Sequence, residues 1–241
     1  MKLAVEKLEA GYQGKTVVKD VSFTVEKGEF ISLIGPSGCG KSTVLKVLAG
    51  LLEPMAGTIM VDDAPLQGGS RHFSYMPQSD LLLDWYDILD NVCLYGKIHG
   101  KKKEAQQQAL ENLKEFGYEH AYPSQLSGGM RQRAAFLRTA LCDSDILLLD
   151  EPFGALDVIT REDMQDWLNR MRQRLDRTTL LVTHDIDEAI YLSDRILILG
   201  QRPATITRIV DVRHPHKDRA WLYAQGELRA AIHQELSHEM L

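Results

Sequence analysis

Apolar positions recur along the chain in two rhythms. Val21-Ser22-Phe23-Thr24-Val25 alternates with period two, which predicts a half-buried strand. Glu26-Lys27-Gly28 marks a turn, and the unbroken apolar run Phe30–Ile34 predicts a strand buried on both faces. A glycine-rich stretch follows, then Val44, Leu45 and Leu48 at helical spacing, stopped near Gly50. From about Ile88 to Ala140 the period becomes helical: Ala109, Leu113 and Phe116 share one face, and so do Met130, Ala134, Leu137 and Leu141. Ile146–Leu149 predicts a central strand. Met164, Trp167, Leu168, Met171 and Leu175 predict an amphipathic helix, and Thr179–Val182 and Arg195–Leu199 predict further strands. The tail after Gly200 predicts a short strand pair and one last helix from roughly Asp218 to Leu236.

Strand, helix and strand in turn predict an α/β fold with a mostly parallel sheet and helices on both faces. The expected partition of 1–241 has a core at 1–84 and 144–203, a helical subdomain at 85–143, and a strand pair with a helix at 204–241. The length of 241 residues suits one large domain. A composition of 44% apolar and 26% charged residues is ordinary for a globular chain. The net charge of -6 argues against nucleic acid as a partner. Cys39, Cys93 and Cys142 are too few and scattered for a disulfide framework or a zinc site, so a reducing compartment is expected. The N-terminus meets a charge too early for a signal peptide. No apolar run approaches the roughly 18 residues of a membrane span, so any membrane contact is expected to pass through another chain.

Gly35-Pro36-Ser37-Gly38-Cys39-Gly40-Lys41-Ser42 matches the phosphate-binding P-loop pattern between a predicted strand and a predicted helix. Glycines let backbone N–H groups curl around phosphate oxygens, and the helix turns its N-terminus to the anion. Lys41 is expected to reach the β- and γ-phosphates, Ser42 to offer its hydroxyl to Mg²⁺, and Thr43 to bond an α-phosphate oxygen. Cys39 stands at a variable position of the pattern, either as a small tolerated side chain or as a thiol activated by the helix N-terminus.

The strand Ile146–Leu149 runs into Asp150-Glu151. Alone, such a pair is equally a solvated helix cap. Beside a P-loop, Asp150 is expected to hold Mg²⁺ and Glu151 to polarise the attacking water. Gln78 follows a short apolar stretch, and His184 follows the strand Thr179–Val182. By position alone either could be a surface residue. As partners of a nucleotide site, Gln78 would ligate Mg²⁺ and His184 would bond the γ-phosphate. Leu126-Ser127-Gly128-Gly129-Met130-Arg131-Gln132-Arg133 has the form of a helix start with exposed amides and two following arginines. That is a second anion site in a chain with one P-loop, as if for a nucleotide held by another subunit.

With these segments in order, the chain resembles the ATP-binding cassette ATPases over essentially its whole length. The matching elements are the P-loop at Gly35–Thr43, Gln78, the signature Leu126–Gly129, Asp150-Glu151, the D-loop Ala155-Leu156-Asp157 and the switch histidine His184. The resemblance implies a P-loop NTPase core with a mostly parallel sheet, an N-terminal antiparallel β subdomain and an inserted helical subdomain. It implies ATP and Mg²⁺: Lys41, Gln78, Glu151 and His184 in catalysis, and Ser42, Gln78 and Asp150 at the metal. It places Tyr12 against adenine, where a core tyrosine is the plain alternative. The P-loop residues Gly35, Pro36, Ser37, Gly38, Cys39, Gly40, Lys41, Ser42 and Thr43 would hold phosphates, with Ser127, Gly128, Gly129 and Asp157 completing the pocket of a second copy. No Asn-Lys-x-Asp guanine motif is present, so ATP is expected over GTP. Met130 departs from the glutamine common after Leu-Ser-Gly-Gly and is expected to pack on a neighbouring helix.

The same resemblance implies a homodimer closed by ATP and working on separate integral membrane permease subunits, with a solute-binding protein as an indirect partner. The expected location is the cytoplasm, peripheral on the inner face of the membrane. Leu89-Asp90-Asn91-Val92, Thr183–Ala189 and Arg202-Pro203-Ala204 look like the nitrate, sulfonate and taurine importer group, which includes carriers of thiamine precursors. A soluble ATPase for iron–sulfur cluster assembly is the alternative. The spacing of His214, His216, His233 and His238 has no ligand logic, and a solvated tail is expected there.

Overall fold

The computed structural model describes residues 1–66 and 71–238. Strands β1 (Leu3–Tyr12) and β2 (Lys15–Val25) form a hairpin with Tyr12 opposite Lys15. The far edge of β1 pairs with β4 (Ala56–Val61), and β5 (Ala64–Pro65) completes an antiparallel sheet of order β2-β1-β4-β5. The second sheet has the order β10-β9-β3-β8-β7-β6. Its members β3 (Phe30–Ile34), β6 (Phe73–Met76), β7 (Ile146–Asp150), β8 (Thr178–Val182) and β9 (Arg195–Leu199) run parallel.

The apolar runs are continuous because this sheet is covered on both faces. Successive side chains point to opposite sides, and β7 shows the result: Ile146 and Leu148 enter the core shared with the antiparallel sheet, while Leu147 and Leu149 enter the core shared with the helices. On β3, Ile31 and Leu33 face the first core, and Phe30 and Ile34 face the second. Full burial of one such side chain stabilises by about 1.5–3 kcal/mol. The two cores therefore fix the sheet whose carboxyl ends carry the candidate site.

Helix α1 (Lys41–Leu48) follows β3. Between β6 and β7 the chain forms α2 (Ile88–Val92), α3 (Leu94–Ile98), α4 (Lys102–Leu113) and α5 (Gly128–Ala140). Helices α6 (Val158–Leu175) and α7 (Ile186–Leu192) alternate with the later strands. Their N-caps are Asp157 and Asp185, whose carboxylates accept backbone N–H bonds from the first turn.

The tail departs from expectation twice. The strand pair after Gly200 is a single strand, β10 (Ile206–Asp211), whose partner is β9 in antiparallel register from Ile206 opposite Leu199 to Asp211 opposite Arg195. The free edge of β9 supplied the pairing that the sequence pattern assigned to a second tail strand. The Asp211 side chain accepts the Arg213 N–H at 3.0 Å and turns the chain away. The last helix is two helices, α8 (Arg219–Tyr223) and α9 (Gly226–His238). The first ends at Tyr223 with Ala224 as its cap, Gln225 Nε2 folds back to donate to the Trp221 carbonyl at 3.0 Å, and the second starts at Gly226.

Candidate active site

The P-loop joins β3 to α1 and lies at the carboxyl end of the parallel sheet. Gly40 starts α1 at φ 130°. A Cβ there would approach Val18 Cγ1 to 2.6 Å and Val17 Cγ1 to 2.9 Å, so a side chain would collide with β2 as well as strain the backbone. Ser37 and Gly38 are exposed and Pro36 is half-buried, while Gly35, Cys39, Gly40 and Thr43 are buried. Lys41 is 5% exposed, and its Nζ donates to the carbonyls of Gly35 at 2.9 Å and Pro36 at 3.0 Å. The ammonium thus spans the loop from within. Burial pushes the Cys39 thiol above its ordinary value, against the opposing charge of Lys41. Of the two expectations for Cys39, the inert side chain fits this environment.

Asp150 ends β7 with both carboxylate oxygens engaged. Oδ1 accepts from Ser42 Oγ at 2.8 Å, and Oδ2 accepts from the Tyr75 hydroxyl at 2.9 Å. Burial, then the Asp150 charge, raises the Tyr75 phenol well above its usual range, so it stays a donor. Sequence reasoning passed over Tyr75. The available signal was its place one residue before the end of β6, beside the strand that delivers Asp150.

Glu151 adopts φ 46°, a left-handed conformation that costs a residue with a side chain about 1–3 kcal/mol. Its N–H donates to the Val182 carbonyl at 2.9 Å, and its carbonyl accepts the Gly154 N–H at 3.2 Å. That turn swings the side chain between the ends of two neighbouring strands. Gln78 Nε2 donates to Glu151 Oε2 at 3.2 Å, and His184 Nδ1 lies 3.5 Å from the same oxygen. Gln78 and His184 are both exposed, as groups awaiting a ligand must be. Lys41, Ser42, Gln78, Asp150, Glu151 and His184 therefore form one site.

Ser127 and Asp157 do not join it. Ser127 Oγ accepts the Met130 N–H at 3.4 Å as the cap of α5, and Asp157 Oδ1 accepts the Thr160 N–H at 3.1 Å. Gly129 is buried where a Cβ would come within 2.5 Å of Thr160 Cγ2, so the signature helix rests against the start of α6. Ser127 and Tyr12 are exposed and Gly128 is half-buried. The arginines of the signature are turned inward. Arg131 pairs with Asp80 at 3.1 Å and donates to the Leu126 carbonyl, while Arg133 reaches Met164 Sδ and covers the Phe116 ring. They satisfy local acceptors, so an anion there would meet Ser127 and backbone amides rather than guanidinium groups. Met130 packs half-buried against the helical core.

In the tail, His214 Nδ1 bonds the His216 carbonyl at 2.7 Å and stacks on Trp221. The side chain of His238 lies outside the described residues. Asp62, His72 and Asp145 bring possible ligand atoms together, yet Lys2 Nζ sits on both carboxylates at 2.7 and 3.0 Å and compensates their charge.

Residues 18–154 match the family model described as ABC transporter. The chain belongs to the ABC transporter family. This ABC ATPase is 40% identical over 234 residues to the taurine import ATP-binding protein TauB of Yersinia pestis, covering 95% of the chain and 90% of that protein. It is 48% identical over 205 residues to the aliphatic sulfonates import ATP-binding protein SsuB 1 of Rhodococcus jostii, covering 85% and 80%. Among solved structures, a dimeric ATP-binding cassette in a post-hydrolysis state bound to ADP and Pi superposes with a TM-score of 0.73 at 28% identity, covering 88% of this chain and 99% of that one. The ABC ATPase thus has the cassette fold, and ATP binding and hydrolysis coupled to transport is its activity. No helix among its described residues is long and apolar enough to cross a membrane.

Proposed function

We propose that this ABC ATPase drives uptake of a small sulfonate, of which taurine is one, through separate permease subunits. A solute-binding protein would deliver the solute, and the ATPase would sit on the inner face of the membrane. The relatives described above are named for import of taurine and aliphatic sulfonates, which favours this over iron–sulfur cluster assembly. The observation that carries the proposal is the convergence of Gln78, Glu151 and His184 beside a P-loop whose second set of phosphate donors, Ser127 to Gly129, stands apart in the same chain.

Such a split site works when two copies meet head to tail, each laying its α5 N-terminus over the triphosphate in the other's P-loop. Exposed Val158 (70%) and Ile159 (76%), directly after Asp157, are suited to burial against a second copy. Shifting a pair from 1:99 open to 99:1 closed takes about 5.5 kcal/mol of differential binding. Divided over two sites, about 2.7 kcal/mol each is within reach of a few charge-assisted hydrogen bonds. Loss of the γ-phosphate removes that bridge and reopens the dimer.

Within each site, Lys41 leaves the loop carbonyls for the β- and γ-phosphates, and Glu151 takes a proton from the attacking water. Gln78 and His184 hold Glu151 and the γ-phosphate in line. Ser42 and Asp150, two oxygen donors 2.8 Å apart, together with Gln78, fit a hard divalent cation such as Mg²⁺. Bound there, Mg²⁺ would neutralise charge on the phosphate oxygens.

For the permease, a groove of about 440 Å³ opens between β6, α3 and α5 and is lined in part by Phe73, Leu94, Tyr95 and Ile98. Its mixed apolar lining suits a short helix of a membrane subunit. The test is reconstitution of the ATPase with its permease and binding protein in vesicles. ATPase stimulation by taurine or another sulfonate, and none by nitrate or pyrimidines, supports the proposal. Stimulation by nitrate or a pyrimidine alone overturns the solute class, and no association with any permease overturns the transport role.

A further inference from the structure

Arg161, near the start of α6, holds two segments at once. Its Nη2 donates to the Leu156 carbonyl at 3.0 Å, and its Nη1 lies 3.5 Å from Asp185 Oδ2. Leu156 belongs to the Ala155-Leu156-Asp157 loop beside the exposed Val158 and Ile159, and Asp185 directly follows His184. Asp185 is itself fixed. Its Oδ1 accepts the N–H groups of Asp187 and Glu188 at 2.9 and 3.1 Å, and its own N–H donates to Thr183 Oγ1 at 3.0 Å. The Thr183 hydroxyl donates in turn to Glu188 Oε2 at 2.9 Å. Glu188 is 3% exposed, and among the described residues neither its Oε1 nor the buried Arg161 Nε has a hydrogen-bond partner.

We propose that Arg161 is a positioning residue that carries the placement of the 155–157 loop to His184 through Asp185. It rests on the function proposed above, in which that loop faces a second copy and His184 serves the γ-phosphate. The guanidinium suits the task because its planar fork binds two acceptors in fixed geometry, which a lysine cannot do. A loop pressed by an arriving partner would move Leu156, and with it the fork and Asp185. His184 also reaches that loop through Glu151, whose carbonyl accepts the Gly154 N–H, and the fork adds a second route through Asp185. A shift of about 1 Å in a reacting group can cost about 10²-fold in rate, so a small displacement is enough to matter. A mere helix tether would affect stability and leave turnover at saturating ATP unchanged.

The test uses the full chain and compares Arg161→Ala, Arg161→Lys, Asp185→Asn and the Arg161→Ala/Asp185→Asn double variant. Asparagine at 185 keeps an oxygen for the helix cap and removes the charge facing Arg161. kcat, KM, binding of a fluorescent ATP analogue and melting temperature are measured for each. Arg161→Ala and Asp185→Asn should each lower kcat about tenfold with analogue affinity within about twofold, and the double variant should be no worse than Arg161→Ala, as for residues acting as a unit. Arg161→Lys should recover part of the loss. Single variants with kcat within about twofold of the unaltered protein, or losses that multiply in the double variant, overturn the proposal. If Arg161→Ala does not fold, Arg161→Lys and Asp185→Asn decide by the same kcat criterion. His184→Ala in the same series separates the two failures. Full activity there removes the role of His184 itself, whereas loss there with normal Arg161 variants removes only the coupling.

Discussion

Gln78 Nε2 donates to Glu151 Oε2 across 3.2 Å, joining the end of β6 to the end of β7. The donor fixes one carboxylate oxygen, and the left-handed backbone of Glu151 fixes the direction from which the side chain comes. In the proposed function, a proton acceptor held this way is already aimed when ATP arrives.

Glu151→Gln should therefore lower turnover by about 10²–10⁴-fold, the usual span for loss of a general base. ATP affinity should persist, and size-exclusion chromatography should show an ATP-bound dimer accumulating. A variant with full turnover would remove Glu151 from the base role.

Ser127→Arg places a bulky cation at the exposed cap of α5. ATP binding to the P-loop of a single chain should stay within about threefold, while ATP-dependent dimers disappear and ATPase activity falls at least about tenfold. A fluorescent ATP analogue reads the binding, light scattering with and without ATP reads the dimers, and phosphate release reads the activity.

Tyr75→Phe removes a donor to a buried carboxylate, a bond of the class worth about 1.5–3 kcal/mol. The denaturant midpoint should fall by a corresponding amount, and half-maximal ATPase activity should need more Mg²⁺. An unchanged Mg²⁺ dependence would show that Tyr75 supports the fold without tuning Asp150.

Away from the site, Glu29 is buried against Arg195 at 2.7 Å and Arg213 at 2.7 Å. Burial alone would raise its carboxyl, but the Arg195 bond, the Glu26 N–H and Arg213 together hold it below the ordinary 4.5 of a glutamate. A depressed folded value means that the native state binds fewer protons than the unfolded state. The stabilisation is thus present above 4.5 and lost as pH falls through the depressed value. Melting temperature should drop as pH falls below 4.5, and that drop should be smaller in Glu29→Gln.

Much of this was legible in the sequence, because the chemistry of phosphate binding restricts residue type at fixed spacing. The P-loop, Asp150-Glu151, Gln78 and His184 each follow an apolar run that the sheet buries, so position along the chain predicted position at one sheet edge. The helical stretch between Ile88 and Ala140 was readable because its period differs from that of the flanking strands. Tyr75 was hidden, since a tyrosine late in a short strand is equally a core residue, and its contact with Asp150 depends on which strands become neighbours. Arg131 and Arg133 look like anion ligands in sequence, yet Asp80 and Phe116, distant in the chain, claim them. Arg161 carries no motif of its own, and its meaning comes from the distance to Asp185 in space. The tail was misjudged for a similar reason. The free edge of β9 took up the strand that forms there, and the terminal helix breaks at Ala224-Gln225.

The central claim is that one copy of the chain owns half of the groups that enclose the triphosphate. The direct measurement is ATPase rate per molecule over a wide dilution series, with oligomeric state followed by mass photometry in the same samples. The account predicts a rate per molecule that falls steeply as dimers vanish, and recovery of activity when Ser127→Arg and Lys41→Ala chains, each inactive alone, are mixed to form one intact composite site. A rate per molecule that stays constant to the lowest concentration, with monomers present throughout, would contradict it.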